Sequence, residues 1–114
     1  MGAIRLTAPA ADPNAIPDGP TLGDWRVALT LWPMADGTGD RLADVLARVA
    51  TLKAAGHPLA KIAAERVEYS NNVFRAELVA LQALFGFTAA EVDESLWRAH
   101  RVSLGDLSGT WPLA

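Results

Sequence analysis

From Asp40 to Gly56 the apolar residues Leu42, Val45, Leu46, Val49 and Leu52 recur at intervals of three and four, a spacing that gathers them into one stripe of a helix. Asp40 is placed to cap the start. Arg48 and Lys53 suit the C-terminal half through the macrodipole, and Gly56 suits the position just past the end. His57 and Pro58 complete the turn. Beyond Pro58 the same logic predicts one long helix reaching Phe85. Val67, Asn71, Phe74, Leu78, Leu81 and Phe85 follow at intervals of 4, 3, 4, 3 and 4, a continuous seam. A second line through Ile62, Tyr69, Val73, Ala76, Ala80 and Ala83 occupies another face. A helix apolar on two faces is either central in a bundle or shared between subunits.

Two asparagines interrupt that helix. On the seam reading Asn71 points inward as a buried polar lock. It then needs a specific partner, because an unpaired buried amide costs about 1–3 kcal/mol. Asn72, one residue on, turns to solvent. Gly86 stops the helix, and Thr88 with Glu91 forms a capping box for a last helix in which Val92, Leu96 and Ala99 face inward.

Upstream, Trp25, Ala28, Leu29 and Trp32 have helical spacing, while Trp25, Val27, Leu29 and Leu31 alternate as in a strand. Helix is preferred: Thr21 or Asp24 can cap it, Pro33 ends it, and no second alternating run is there to pair with a strand. Trp25, Trp32 and Trp97 are expected in the core. The fold class is therefore all-α, a small bundle of about four helices spanning residues 21–100. An extended N-terminal arm (1–20) and a C-terminal strap (101–114) flank it.

The arm holds four of the seven prolines and has no regular apolar period. Ordering its backbone costs roughly 1–2 kcal/mol per residue, and Ile4, Leu6 and Ile16 are a small apolar supply to offset that within one chain. These three residues are expected to bind a partner, as are Trp111 and Leu113 in the strap.

Composition narrows the function. The chain has 114 residues, of which 51% are hydrophobic and 20% charged, which is globular composition for one domain. Its apolar runs are too short to cross a bilayer, so a soluble protein made in the cytoplasm, without a membrane partner, is expected. A formal charge of -3 gives no general attraction to nucleic acid. The chain has no cysteine, which removes disulfides and thiolate chemistry.

Catalytic candidates are few. His57 sits in a turn and His100 at a helix end, both structural places. Glu91, Asp93 and Glu94 belong to a helix start. Gly37-Thr38-Gly39 lacks the preceding strand and the Lys-Ser/Thr pair of a phosphate loop. Asp106, Ser108 and Thr110 do not make a hydrolase. No enzyme activity, cofactor, metal site or small-molecule substrate is expected.

A helix-turn-helix DNA-binding regulator is the alternative for residues 59–78, with Lys61, Arg66 and Arg75 on phosphates. Against it, Val67 stands where the motif's turn glycine normally falls, the serine is displaced by one, and Glu65, Glu68 and Glu77 are interleaved with the cations.

The order of parts, with V-E-Y-S-N-N-V-F-R and then L-F-G-F-T-A-A-E-V-D, resembles small helical modules encoded among the tail genes of tailed bacteriophages and prophages. Glu68, Tyr69, Phe74, Arg75 and Gly86–Asp93 carry the match, over about residues 21–100. The loop at 34–39 is longer than such modules have. Their Asp-Ser-Pro break after the arginine is replaced by Ala76-Glu77, which favours a continuous helix here. The resemblance implies a virion or tail-assembly component located in the virion, a connector or decoration subunit. Its partners would be other virion proteins and copies of itself, and there are no catalytic residues to carry over.

Overall fold

The residues that stop and start helices act where their local chemistry dictates. In a computed structural model that describes residues 16–109, Thr21 Oγ1 accepts from the Asp24 N–H and opens α1, Leu22–Thr30. Asp40 Oδ1 accepts from the Ala43 N–H and opens α2, Arg41–Ala54. Two further helices follow, α3 over Ala60–Tyr69 and α4 over Arg75–Phe85. The last, α5, spans Ala89–Ser103 behind the reciprocal Thr88–Glu91 capping box.

The described residues are all helical apart from loops and two isolated bridges, Thr21 with Asn72 and Pro33 with Asp40. A small helical bundle is confirmed, with five helices among the described residues rather than about four.

The extra helix comes from a break that corrects the predicted 58–85 helix. Ser70 and Phe74 are extended, with ψ of 149° and 142°. The residues between them hydrogen-bond with the end of the N-terminal arm instead of with their own helix. Val73 N donates to Pro20 O at 2.9 Å and Leu22 N to Asn71 O at 3.0 Å. Asp18 Oδ1 accepts from Arg75 N at 2.6 Å. Ser and Asn are indifferent helix formers, so a backbone partner from elsewhere in the chain outcompetes the local ladder.

Asn71 is therefore not a buried lock. It is exposed, and its backbone carbonyl is the part that bonds. The side chain that does lock is Asn72, whose Nδ2 donates to Gly19 O at 2.9 Å.

The core forms where α1 lies along α5, with α2 against α3 and α4 on one side and α4 against α5 on the other. Trp25 is 1% exposed. Its ring meets Phe85 at 6.1 Å and Phe87 at 6.4 Å between centroids. Truncating a ring so enclosed costs about 3–5 kcal/mol. Buried Trp97 also meets expectation, and Trp32 is half-buried against the core.

Gly86 ends α4 at φ +73°, and a Cβ there would lie 2.6 Å from Arg48 Nε. Helix α5 runs three residues past His100, the expected end of the helical domain, because Val102 is buried in the core and Leu104 N bonds back to His100 O.

Candidate interaction surface

Each end of the described chain is pinned to the body, and each carries an exposed apolar side chain next to its anchors. At the N-terminal end, residues 18–22 run antiparallel to 71–75. Gly19 has φ +79°, and a Cβ on it would meet the Phe74 ring at 3.0 Å, so glycine permits both the turn and the approach. Ile16, just before this seam, is 51% exposed. At the C-terminal end, Arg101 Nη2 donates to Asp106 Oδ2 at 3.0 Å, and Ser108 N donates to Asp106 Oδ1 at 3.0 Å. Gly109 lies against the Leu31 backbone. Leu104 and Leu107 remain exposed between these anchors.

Of the residues expected to bind a partner, Ile4, Leu6, Trp111 and Leu113 lie outside the described residues, and Ile16 is exposed. The exposure of Leu104 and Leu107 was not legible beforehand, because the strap pattern S-L-G-D-L-S has no period that assigns a face. Their signal was the glycine and aspartate around them, which end a helix and leave isolated leucines in a turn.

Beside the strap is an electrostatic stack. The half-buried Trp32 indole has the Arg41 guanidinium 4.5 Å from its centroid and that of Arg98 at 4.6 Å. Arg41 also lies 5.0 Å from the Phe87 ring, which itself stacks on Trp32. Arg41 pairs with Glu91, and Arg98 Nε donates to Glu94 Oε2 at 2.7 Å. Burial works to raise the Glu91 pKa, but the Thr88 N–H and the Arg41 guanidinium outweigh it and hold the carboxyl below its ordinary value. The stack holds Trp32, just after α1, against α2 and α5.

The carboxylates with a catalytic look are thereby accounted for. Glu91 caps and pairs with Arg41, Asp93 pairs with Arg75 at 2.7 Å, and Glu94 pairs with Arg98. The Asp93 hydrogen bond raises the Arg75 pKa. His57 Nδ1 accepts from Leu59 N at 3.1 Å inside its turn, and His100 lies in the last turn of α5. In the 34–39 loop, Asp36 Oδ1 accepts from the Thr38 hydroxyl at 2.6 Å, which lowers the carboxyl pKa. Among the described residues no three His, Asp or Glu converge as a metal site, and no helix is long and apolar enough to cross a membrane.

A small cavity lies under the 70–73 segment, between Trp25, Val67, Ser70, Leu78 and Phe85, with a volume of about 10 Å³. That admits a single water molecule and no ligand. Ser70 Oγ is buried there without a protein partner.

The cations of the DNA-binding alternative are partly committed. Arg66 pairs with Glu77 at 2.9 Å and Arg75 with Asp93. Comparison of the chain with protein-family models, with curated proteins and with solved structures returns no match.

Proposed function

We propose that the chain is a structural, protein-binding subunit of a tailed-phage particle that docks through its two terminal segments. The observation that carries this reading is the placement of exposed Ile16, Leu104 and Leu107 next to the anchoring carboxylates of Asp18 and Asp106, which accept from Arg75 N and from the Arg101 guanidinium. Side chains held next to such anchors are already placed, so a partner binding them orders few residues and loses little entropy. The phage setting rests on the resemblance through Glu68, Tyr69, Phe74, Arg75 and Gly86–Asp93.

The test is deletion of residues 1–16 together with Leu104→Ser and Leu107→Ser in the phage or prophage that encodes the chain. Incorporation into purified particles should be lost, with far-UV helicity and melting of the isolated protein unchanged. Normal incorporation would overturn the reading.

One observation favours the DNA-binding alternative: the break between Tyr69 and Arg75 makes residues 59–78 two helices, as a helix-turn-helix requires. Fluorescence anisotropy with duplex DNA at low salt decides it. Binding weakened by Lys61→Ala would establish that alternative.

A further inference from the structure

The dipeptide Asp-Gly occurs twice in the chain, at Asp18-Gly19 and at Asp36-Gly37. Its backbone can close on itself, because glycine has no Cβ to keep its amide nitrogen away from the preceding carboxyl carbon. The nitrogen gives its proton to solvent and bonds to Cγ of the protonated carboxyl, and one carboxyl oxygen leaves as water. A second water then opens the five-membered succinimide at either carbonyl. One product is the original aspartate. The other is isoaspartate, whose main chain runs through Cβ and Cγ and whose carboxylate sits directly on Cα.

Closure needs the nitrogen and Cγ in a near-attack geometry, and the fold treats the two dipeptides differently. In the 34–39 loop the Gly37 N–H donates to Met34 O at 3.0 Å, which holds the nucleophile. Asp36 Oδ1 accepts from Thr38 N at 3.0 Å and from the Thr38 hydroxyl at 2.6 Å, which holds the carboxyl. The same two bonds keep the Asp36 pKa low and so deplete the protonated acid that closure requires. Asp18 is exposed, and a single hydrogen bond, from Arg75 N, holds its carboxylate. Gly19 joins the seam through its carbonyl, which accepts from Asn72 Nδ2. Among the described residues its N–H donates to no acceptor.

We propose that Asp18 is a self-modifying site, at which attack by Gly19 N converts aspartate to isoaspartate and removes the cap of α4, while the 34–39 loop protects Asp36. The product has an extra main-chain atom before Gly19, and its carboxylate is one methylene shorter. Gly19 to Leu22 stay pinned to 71–73 through their own bonds, so the altered carboxylate loses Arg75 N, and residues 16–18 lose their anchor on α4. The chemistry is independent of what the termini bind.

The test is to age the full chain for weeks at physiological temperature and mildly acidic pH, and to locate isoaspartate by peptide mapping and by enzymatic methylation of its carboxylate. It should accumulate about tenfold or more faster at Asp18 than at Asp36, where several hydrogen bonds must break before closure. In urea that contrast should disappear. Asp18→Glu, one methylene too long for the five-membered ring, should stay folded and form no isoaspartate at residue 18. The aged fraction, once separated, should melt at a lower temperature than fresh protein and exchange its Arg75 amide faster. The proposal is overturned by isoaspartate at neither site, by as much at Asp36 as at Asp18, or by a contrast that persists in urea. An aged fraction whose Arg75 amide is as protected as in fresh protein overturns it too.

Discussion

Asp18 caps a helix that begins 57 residues later. Its Oδ1 accepts the Arg75 N–H at 2.6 Å, the service that an N-cap residue usually performs for its own helix. Phe74, at the N-cap position of α4, has no side-chain acceptor to offer. Asp18→Ala should therefore destabilise the fold by about 0.5–2 kcal/mol, the usual cost of a lost N-cap, while Asp18→Asn keeps most of the effect. Urea denaturation of both variants checks this. Asn72→Ala should also destabilise, whereas Asn71→Ala should be nearly neutral; the reverse order would restore the buried-lock reading.

Trp25 Nε1 donates to Ser95 Oγ at 3.0 Å in the core, and that hydroxyl donates onward to Val92 O at 2.7 Å. Ser95→Ala leaves the indole N–H buried without a partner and should cost about 1–3 kcal/mol. In the Trp25→Phe background the same change should cost clearly less. A double-mutant cycle measures the difference, and strict additivity would mean that the bond contributes nothing.

Gly86→Ala meets two obstacles at once, a φ of +73° and the Arg48 side chain. It should destabilise by more than about 1 kcal/mol. Combining it with Arg48→Ala should recover the steric part and leave the backbone part, as read from melting temperatures. Complete recovery would show that the left-handed geometry costs nothing here.

The lowered Glu91 pKa makes stability depend on pH in a definite direction. A carboxyl with a folded-state pKa below its unfolded value stabilises the fold at pH above the unfolded value. That contribution is lost as pH falls through the folded one. Wild type should thus lose stability on acidification more steeply than Glu91→Gln below pH 4.5, the ordinary glutamate value. Parallel melting curves for the two proteins between pH 6 and pH 3 would contradict it.

The parts of this fold that were legible in the sequence are those with local causes. Asp40, Gly86 and the Thr88–Glu91 pair each act within one helical turn, and each is found in its expected role. The break at 70–74 has a distant cause, the backbone of Pro20 and the carboxylate of Asp18, and no window around Asn71 contains it. Heptad spacing misled because two of its members, Val67 and Leu78, belong to different helices that meet at one small cavity, while Asn71 and Phe74 between them are exposed. Of the interaction surface, Ile16 was visible as an apolar residue in a proline-rich arm.

The arm's last residues also set the order in which the fold can assemble. The first turn of α4 is completed by a group that reaches it only after a long loop has closed. Such contacts gain no free energy until the closure entropy has been met. The amides of Leu22, Val73 and Arg75 should then open to hydrogen exchange as one cooperative unit, earlier than those of α5. A partner that pulls residues 16–21 away would loosen the start of α4 without touching it.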